Sequence, residues 1–176
     1  KCRKGGFAPD AIVIVATIRA LMYNGGVAKS DLEKTDLKAL KRGFANLRRH
    51  IQNMQKYGVG VVVAINRFYT DEECEIETVK ALCNEMGAAC ETAEVFAKGG
   101  EGGIALAERV CEIIEKGQSD YHPLYDTNLP LKDKIETVVR EIYGGKGVEY
   151  SKKADKALSK ITELGYGDLP VCIAKT

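Results

Sequence analysis

Net charge is nearly absent from this sequence: 26 Lys and Arg against 25 Asp and Glu leave +1 with histidine neutral. That balance gives no electrostatic footprint for nucleic acid or an anionic membrane as partner. Long apolar runs are missing too, and none approaches the ~20 residues that span a bilayer. Lys1-Cys2-Arg3-Lys4-Gly5-Gly6 does not lead into the uninterrupted apolar core of a signal peptide. Histidine is scarce: His50 and His122 are the only two, and neither stands beside a plausible Ser or Cys nucleophile, so nothing resembles a nucleophilic triad. The six cysteines (Cys2, Cys74, Cys83, Cys90, Cys111 and Cys172) contain no C-x-x-C pair, which argues against structural zinc. A chain of 176 residues, 45% of them apolar, can bury an ordinary core without disulfides. The thiols therefore read as reduced, mostly core side chains of a cytoplasmic protein. No residue is assigned as catalytic or as a metal ligand.

The strongest positive signal is Gly60-Val61-Val62-Val63-Ala64-Ile65-Asn66. A β-branched run without polar alternation predicts a strand buried on both faces, as in the middle of a parallel sheet. It stops in Arg67-Phe68-Tyr69, followed by Thr70 and Asp71, which can open a helix. Open parallel sheets bind ligands beyond the carboxyl ends of such strands, so Asn66 to Asp71 is the first place to look for function. Ala11 to Thr17 reads as a second buried-type strand, with Arg19 just past its end and Asn24-Gly25-Gly26 as a turn or mobile loop. Leu37, Leu40, Phe44, Leu47, Ile51 and Met54 mark one face of a long amphipathic helix, capped by Thr35 or Asp36 and ended at Tyr57-Gly58. Its Lys38, Lys41, Arg42, Arg48, Arg49 and Lys56 read as a solvated face or a subunit contact. A helix over 72–86 closes at Gly87. A third strand over 88–95 ends in Phe96-Ala97-Lys98-Gly99-Gly100-Glu101-Gly102-Gly103, and a helix follows from Ile104. Strand alternating with helix is the α/β signature. The last third reads as two helices, the second capped by Ser151, and a short final strand over 171–174.

Two strand ends carry aromatics beside polar groups. Phe68 and Phe96 either flank a flat heterocycle, with Asn66 or a backbone amide reading its edge, or simply cap the core. The amides of Gly99, Gly100 and Gly102 precede a helix and so could cradle an anion, or the glycines only permit a tight turn. The segment matches neither G-x-x-x-x-G-K-[ST] nor G-x-G-x-x-G at the first strand-to-helix turn. Asp71, Glu72, Glu73 and Glu75 could hold Mg²⁺, but carboxylates at a helix N-terminus are already stabilised by the helix dipole.

Several long strings are similar, in order, to formate–tetrahydrofolate ligase, also called formyltetrahydrofolate synthetase. They include Pro9-Asp10-Ala11-Ile12-Val13-Ile14-Val15-Ala16-Thr17-Ile18-Arg19-Ala20-Leu21 and Val62-Val63-Ala64-Ile65-Asn66-Arg67-Phe68 with Thr70-Asp71. Ala97-Lys98-Gly99-Gly100-Glu101-Gly102-Gly103 and Leu169-Pro170-Val171-Cys172-Ile173-Ala174-Lys175-Thr176 continue the resemblance. It covers essentially the whole chain.

The resemblance implies ligation of formate to tetrahydrofolate, using ATP with Mg, to give 10-formyltetrahydrofolate through formyl phosphate. It implies small-molecule substrates, a homo-oligomer in the full-length protein, and neither nucleic acid nor membrane as partner. It implies a three-layer α/β fold with a mostly parallel sheet, of the P-loop NTPase-like or Rossmann-like kind, with helices on both faces. Residues 1–120 would form the sheet portion, and 121–176 a helical extension and final strand of the same domain. The family holds the pterin between aromatics, which carries over to Phe68 and Phe96, with Tyr69, Asn66 and Lys98 beside them. Phe96 stands where a Trp is frequent and lacks its indole N–H, and Tyr69 replaces a frequent Pro. The family's phosphate-binding G-K-T loop has no counterpart here. The expectation is therefore an internal segment of the ligase that supplies the folate pocket and is inactive alone. Two alternatives stay open: a non-catalytic folate-binding or assembly module, and a nucleotide-binding fragment, since Asn66-Arg67 loosely resembles a base-reading Asn-Lys.

Overall fold

The computed structural model describes residues 2–174, arranged in two compact units with a boundary between Tyr121 and His122. In the first unit, α1 (Cys2–Gly5) precedes β1 (Ala11–Ala16), α2 (Ile18–Asn24), α3 (Leu37–Gln55), β2 (Gly60–Asn66), α4 (Glu73–Asn84) and β3 (Ala89–Ala93). The short α5 (Val95–Lys98), a 3₁₀ segment over Gly99–Gly103 and α6 (Ile104–Glu115) complete it. The three strands are parallel in the order β1-β2-β3, with Ala16 opposite Ile65 and Asn66 opposite Ala93.

β2 lies in the middle, as its unbroken apolar run requires. Val63 and Ile65 face a core built from Ile18 and Met22 of α2, Leu40, Phe44 and Ile51 of α3, and Ile76 and Val79 of α4. Both crossovers thus lie on one face, as same-handed connections between sequential neighbours must. Strand alternation turns Gly60, Val62, Ala64 and Glu91 to the other face. There α6 packs Ile113 against Gly60, whose Cβ would come 2.5 Å from Ile113 Cγ2, and Arg109 Nε donates to Glu91 Oε1 at 3.2 Å. Helices on both faces give the three-layer α/β architecture.

Two strand expectations need correction. β1 is not buried on both faces: Val13 and Val15 are exposed, because β1 is the sheet edge among the described residues and α6 lies mainly over β3. β3 stops at Ala93 rather than at residue 95. The Glu94 N–H leaves the ladder for the Gly102 carbonyl at 2.9 Å, and the Glu94 carbonyl accepts from Lys98 N–H at 2.9 Å, which starts a helical turn.

Thr17 and Asp36 cap α2 and α3 through side-chain oxygens that accept from Ala20 N–H at 3.1 Å and Ala39 N–H at 2.9 Å. Asn24-Gly25-Gly26 is not a free loop. Gly25 closes α2, and its carbonyl accepts two bonds from Arg42 of α3, at 3.0 and 3.1 Å. The two backbones meet here: a Cβ on Gly43 would lie 1.7 Å from the Leu21 carbonyl oxygen, and one on Gly25 would lie 1.9 Å from that of Ala39.

The second unit holds α7 (Leu131–Val138), a widened turn over Val139–Tyr143 closed by left-handed Gly144, and α8 (Lys152–Glu163), capped by Ser151. Lys134 is fully buried, its ammonium donating to the carbonyls of Gly167 at 2.5 Å and Leu169 at 3.3 Å. The strand expected over 171–174 does not form. Pro170 has no N–H to donate, and the Val171 N–H is taken by the Tyr125 hydroxyl at 2.8 Å.

The backbone contact between α2 and α3 makes Gly43→Ala an overpacking substitution, expected to cost about 3 kcal/mol. Gly100, with nothing near its would-be Cβ, should accept alanine with a change within about 0.5 kcal/mol. Urea unfolding of the two variants checks the contrast, and equal midpoints would contradict it.

Candidate functional site

The register of the sheet brings three turns to one rim: Thr17–Arg19 after β1, Asn66–Tyr69 after β2 and Glu94–Ala97 after β3. A cavity of about 680 Å³ opens there, lined by Arg19, Glu33, Asn66, Arg67, Phe68, Tyr69, Glu94, Phe96 and Ala97. Phe68 is 37% exposed, Tyr69 93% and Phe96 100%. The two phenylalanines therefore do not cap the core. Large apolar rings held in water at the end of a parallel sheet are a ready stacking surface for a flat ligand.

The turn after β2 is heavily tied. Arg67 N–H extends the ladder by donating to the Ala93 carbonyl at 3.1 Å, and its guanidinium pairs with Glu73 at 3.2 Å. Asp71 does not open the next helix, which is capped from Glu72. Its carboxylate instead folds back to accept the Phe68 N–H at 2.8 Å, and its own N–H donates to the Phe68 carbonyl at 3.0 Å. Arg19 reaches across from α2, donating to Thr70 Oγ1 at 2.8 Å, with its guanidinium carbon 4.9 Å from the centre of the Phe68 ring.

Asp71 and Glu75 are only 6% and 2% exposed. Burial holds the Asp71 carboxyl above the ordinary carboxylate range, against the pull of the Phe68 N–H and the Arg19 and Arg67 charges. Burial raises Glu75 as well. The Glu72 N–H bond opposes the rise, the nearby Asp71 and Glu72 charges add to it, and the Thr35 hydroxyl opposes it. Glu94, by contrast, is held low by its bond from Lys98.

Phe68, Tyr69, Phe96 and Asn66 thus share one cavity, whereas Lys98 does not line it and spends its ammonium on Glu94 at 2.7 Å. Gly99, Gly100 and Gly102 stand outside it too. Their segment is a 3₁₀ turn in which the Gly99 N–H donates to Val95 and the Gly102 carbonyl accepts from Glu94. Arg67 falls in the 66–71 stretch and Ala97 in the second strand end that the sequence marks, whereas Glu33 and Glu94 carry no site signal there and Arg19 alone is weak. The signal for Arg19 and Glu94 lies in topology, since each falls just past a strand end.

The glycine segment is a 3₁₀ turn whose neighbouring lysine is paired with Glu94, and among the described residues no group of three or more acidic, His or Cys side chains is arranged to hold a cation. Nor is any described helix long and apolar enough to cross a membrane.

Fold and site together define an α/β protein with an aromatic-walled cleft at the carboxyl edge of a parallel sheet. The model of the formate–tetrahydrofolate ligase family matches residues 1–176. The chain belongs to that family.

The raised carboxyls carry a pH signature. A carboxyl whose folded pKa exceeds its unfolded one binds its proton more tightly when folded, so its contribution to stability falls as pH rises through that interval. The window starts at about pH 4, the ordinary carboxylate value, and runs up through the raised values. Relative to Asp71→Asn/Glu75→Gln, the unsubstituted chain should lose stability as pH rises across it. Denaturation of both proteins over that range checks this, and parallel curves would contradict it.

Proposed function

We propose that this chain supplies the tetrahydrofolate-binding part of a formate–tetrahydrofolate ligase, the enzyme that makes 10-formyltetrahydrofolate from formate, with formyl phosphate as the activated acyl donor. The observation that carries this reading is the cavity shared by Phe68, Tyr69 and Phe96 in a chain matched throughout by that family. A pterin is flat, apolar on its faces and rich in donors and acceptors along its edge. Phe68 and Phe96 offer stacking faces. Arg19 and Arg67 offer donors to a ring carbonyl, Glu33 and Glu94 accept from ring amino groups, and Asn66 does either. The cavity pairs two arginines with two glutamates, which suits a neutral heterocycle better than a polyphosphate. ATP with magnesium is assigned outside these residues, and so is the formation of formyl phosphate. The contribution of this chain is to hold the folate at a fixed place and orientation, which lowers the entropic cost of bringing two reactants together.

The experiment is a calorimetric tetrahydrofolate titration of the chain and of Phe68→Ala and Phe96→Ala. Saturable binding is expected, weakened by about 1–3 kcal/mol in either variant. Unchanged affinity in both variants would overturn the assignment of the slot. The purified chain should release no ADP in a formate-dependent manner, and any such release would overturn the placing of ATP elsewhere.

A further inference from the structure

We infer that Asp71 and Arg19 are positioning residues that brace the Phe68 ring as a fixed wall of the cleft, a role that rests on the folate reading above only for its ligand. Phe68 sits on a loop between β2 and α4, and its ring is more than one-third exposed, so core packing alone does not hold it. Its backbone is clamped on both sides by one residue. The Asp71 carboxylate accepts the Phe68 N–H at 2.8 Å and the Asp71 N–H returns to the Phe68 carbonyl at 3.0 Å, closing a four-residue loop. A bond from a backbone amide to an ionised carboxylate is stronger than a neutral one. This carboxylate is also almost wholly enclosed, so water does not compete for it.

The ring is braced separately. Arg19 stands at the first turn of α2, where Thr17 caps the helix and Ile18 is buried in the core. Its guanidinium bonds Thr70 of the same loop and lies 4.9 Å from the Phe68 centroid, within cation–π range. Glu33 is 3.8 Å away and mostly exposed, and Arg19 Nε is enclosed without an acceptor. Ring and hydroxyl, more than a carboxylate pair, therefore set where this guanidinium sits. A wall held from two elements loses little freedom when a ligand stacks on it, which is how preorganisation improves affinity.

The test uses the whole chain with labelled phenylalanine and backbone amides. In Asp71→Ala the Phe68 amide should lose its protection from hydrogen exchange and its ring signals should shift, while the Val63 and Ile65 amides stay protected. Asp71→Asn, whose amide oxygen still accepts from Phe68, should restore both. Arg19→Lys, which keeps the charge but loses the planar fork, should shift the ring signals and leave the Phe68 amide protected. It therefore tests the ring brace even if Asp71→Ala fails to fold. Tetrahydrofolate binding should weaken about tenfold in Asp71→Ala and recover to within about threefold in Asp71→Asn. Unchanged Phe68 protection in Asp71→Ala, together with unchanged ring signals in Arg19→Lys, would overturn the brace. A braced Phe68 in a chain that does not bind tetrahydrofolate would overturn the folate reading and leave the brace standing.

Discussion

The hydrogen-bond register between three parallel strands governs this structure. Ala16 lies opposite Ile65 and Asn66 opposite Ala93, so all three strands run out at nearly the same level. Everything beyond them must turn there. A parallel sheet whose middle strand is covered by helices on both faces leaves its two rims as places where polar and aromatic side chains can meet, and here the carboxyl rim collects them. Without that register, Arg19, Phe68 and Phe96, which are spread over more than seventy positions of sequence, would have no common cavity.

The rest of the first unit serves to keep the rim in place. α2 carries Arg19 and is held to α3 by backbone contact at Gly43 and Gly25, an approach no side chain permits. Arg42 closes the same junction from the solvent side. Behind the loop after β2, the buried carboxylates Asp71 and Glu75 tie backbone amides that neither sheet nor helix satisfies. Buried charges of this kind are unfavourable unless fully bonded. Their presence is the energetic cost of a loop rigid enough to hold an aromatic ring in water. The second unit uses the same device in cationic form: the buried Lys134 gathers the carbonyls of a turn that has no ladder to join.

Much of this was legible in the residues. The Val and Ile run of β2, the three-four spacing of α3 and the alternation of strand with helix define the layers, and the aromatics at two strand ends point to the cleft. What stayed hidden depends on contacts that no local pattern encodes. Asp71 reads as a helix opener because Asp before a helix usually caps it; here the carboxylate turns back three residues instead. The burial of Lys134 follows from a turn over thirty residues later, which no local pattern marks. β1 has the apolar composition of a central strand but lies at the sheet edge among the described residues. Lys98 looks free beside the glycines by composition, yet its ammonium is paired with Glu94, and the Gly102 carbonyl accepts from the Glu94 N–H.

The central claim is that a folate stacks in the cleft between the turns after β2 and β3. Chemical-shift mapping of the ¹⁵N-labelled chain during a tetrahydrofolate titration tests it most directly. The account predicts saturable shifts centred on Phe68, Tyr69, Phe96 and Ala97, with Arg19 following them. Shifts centred on Gly99 to Gly103, or on the opposite rim near Arg109 and Ser119, would contradict it, as would a spectrum unchanged at millimolar ligand.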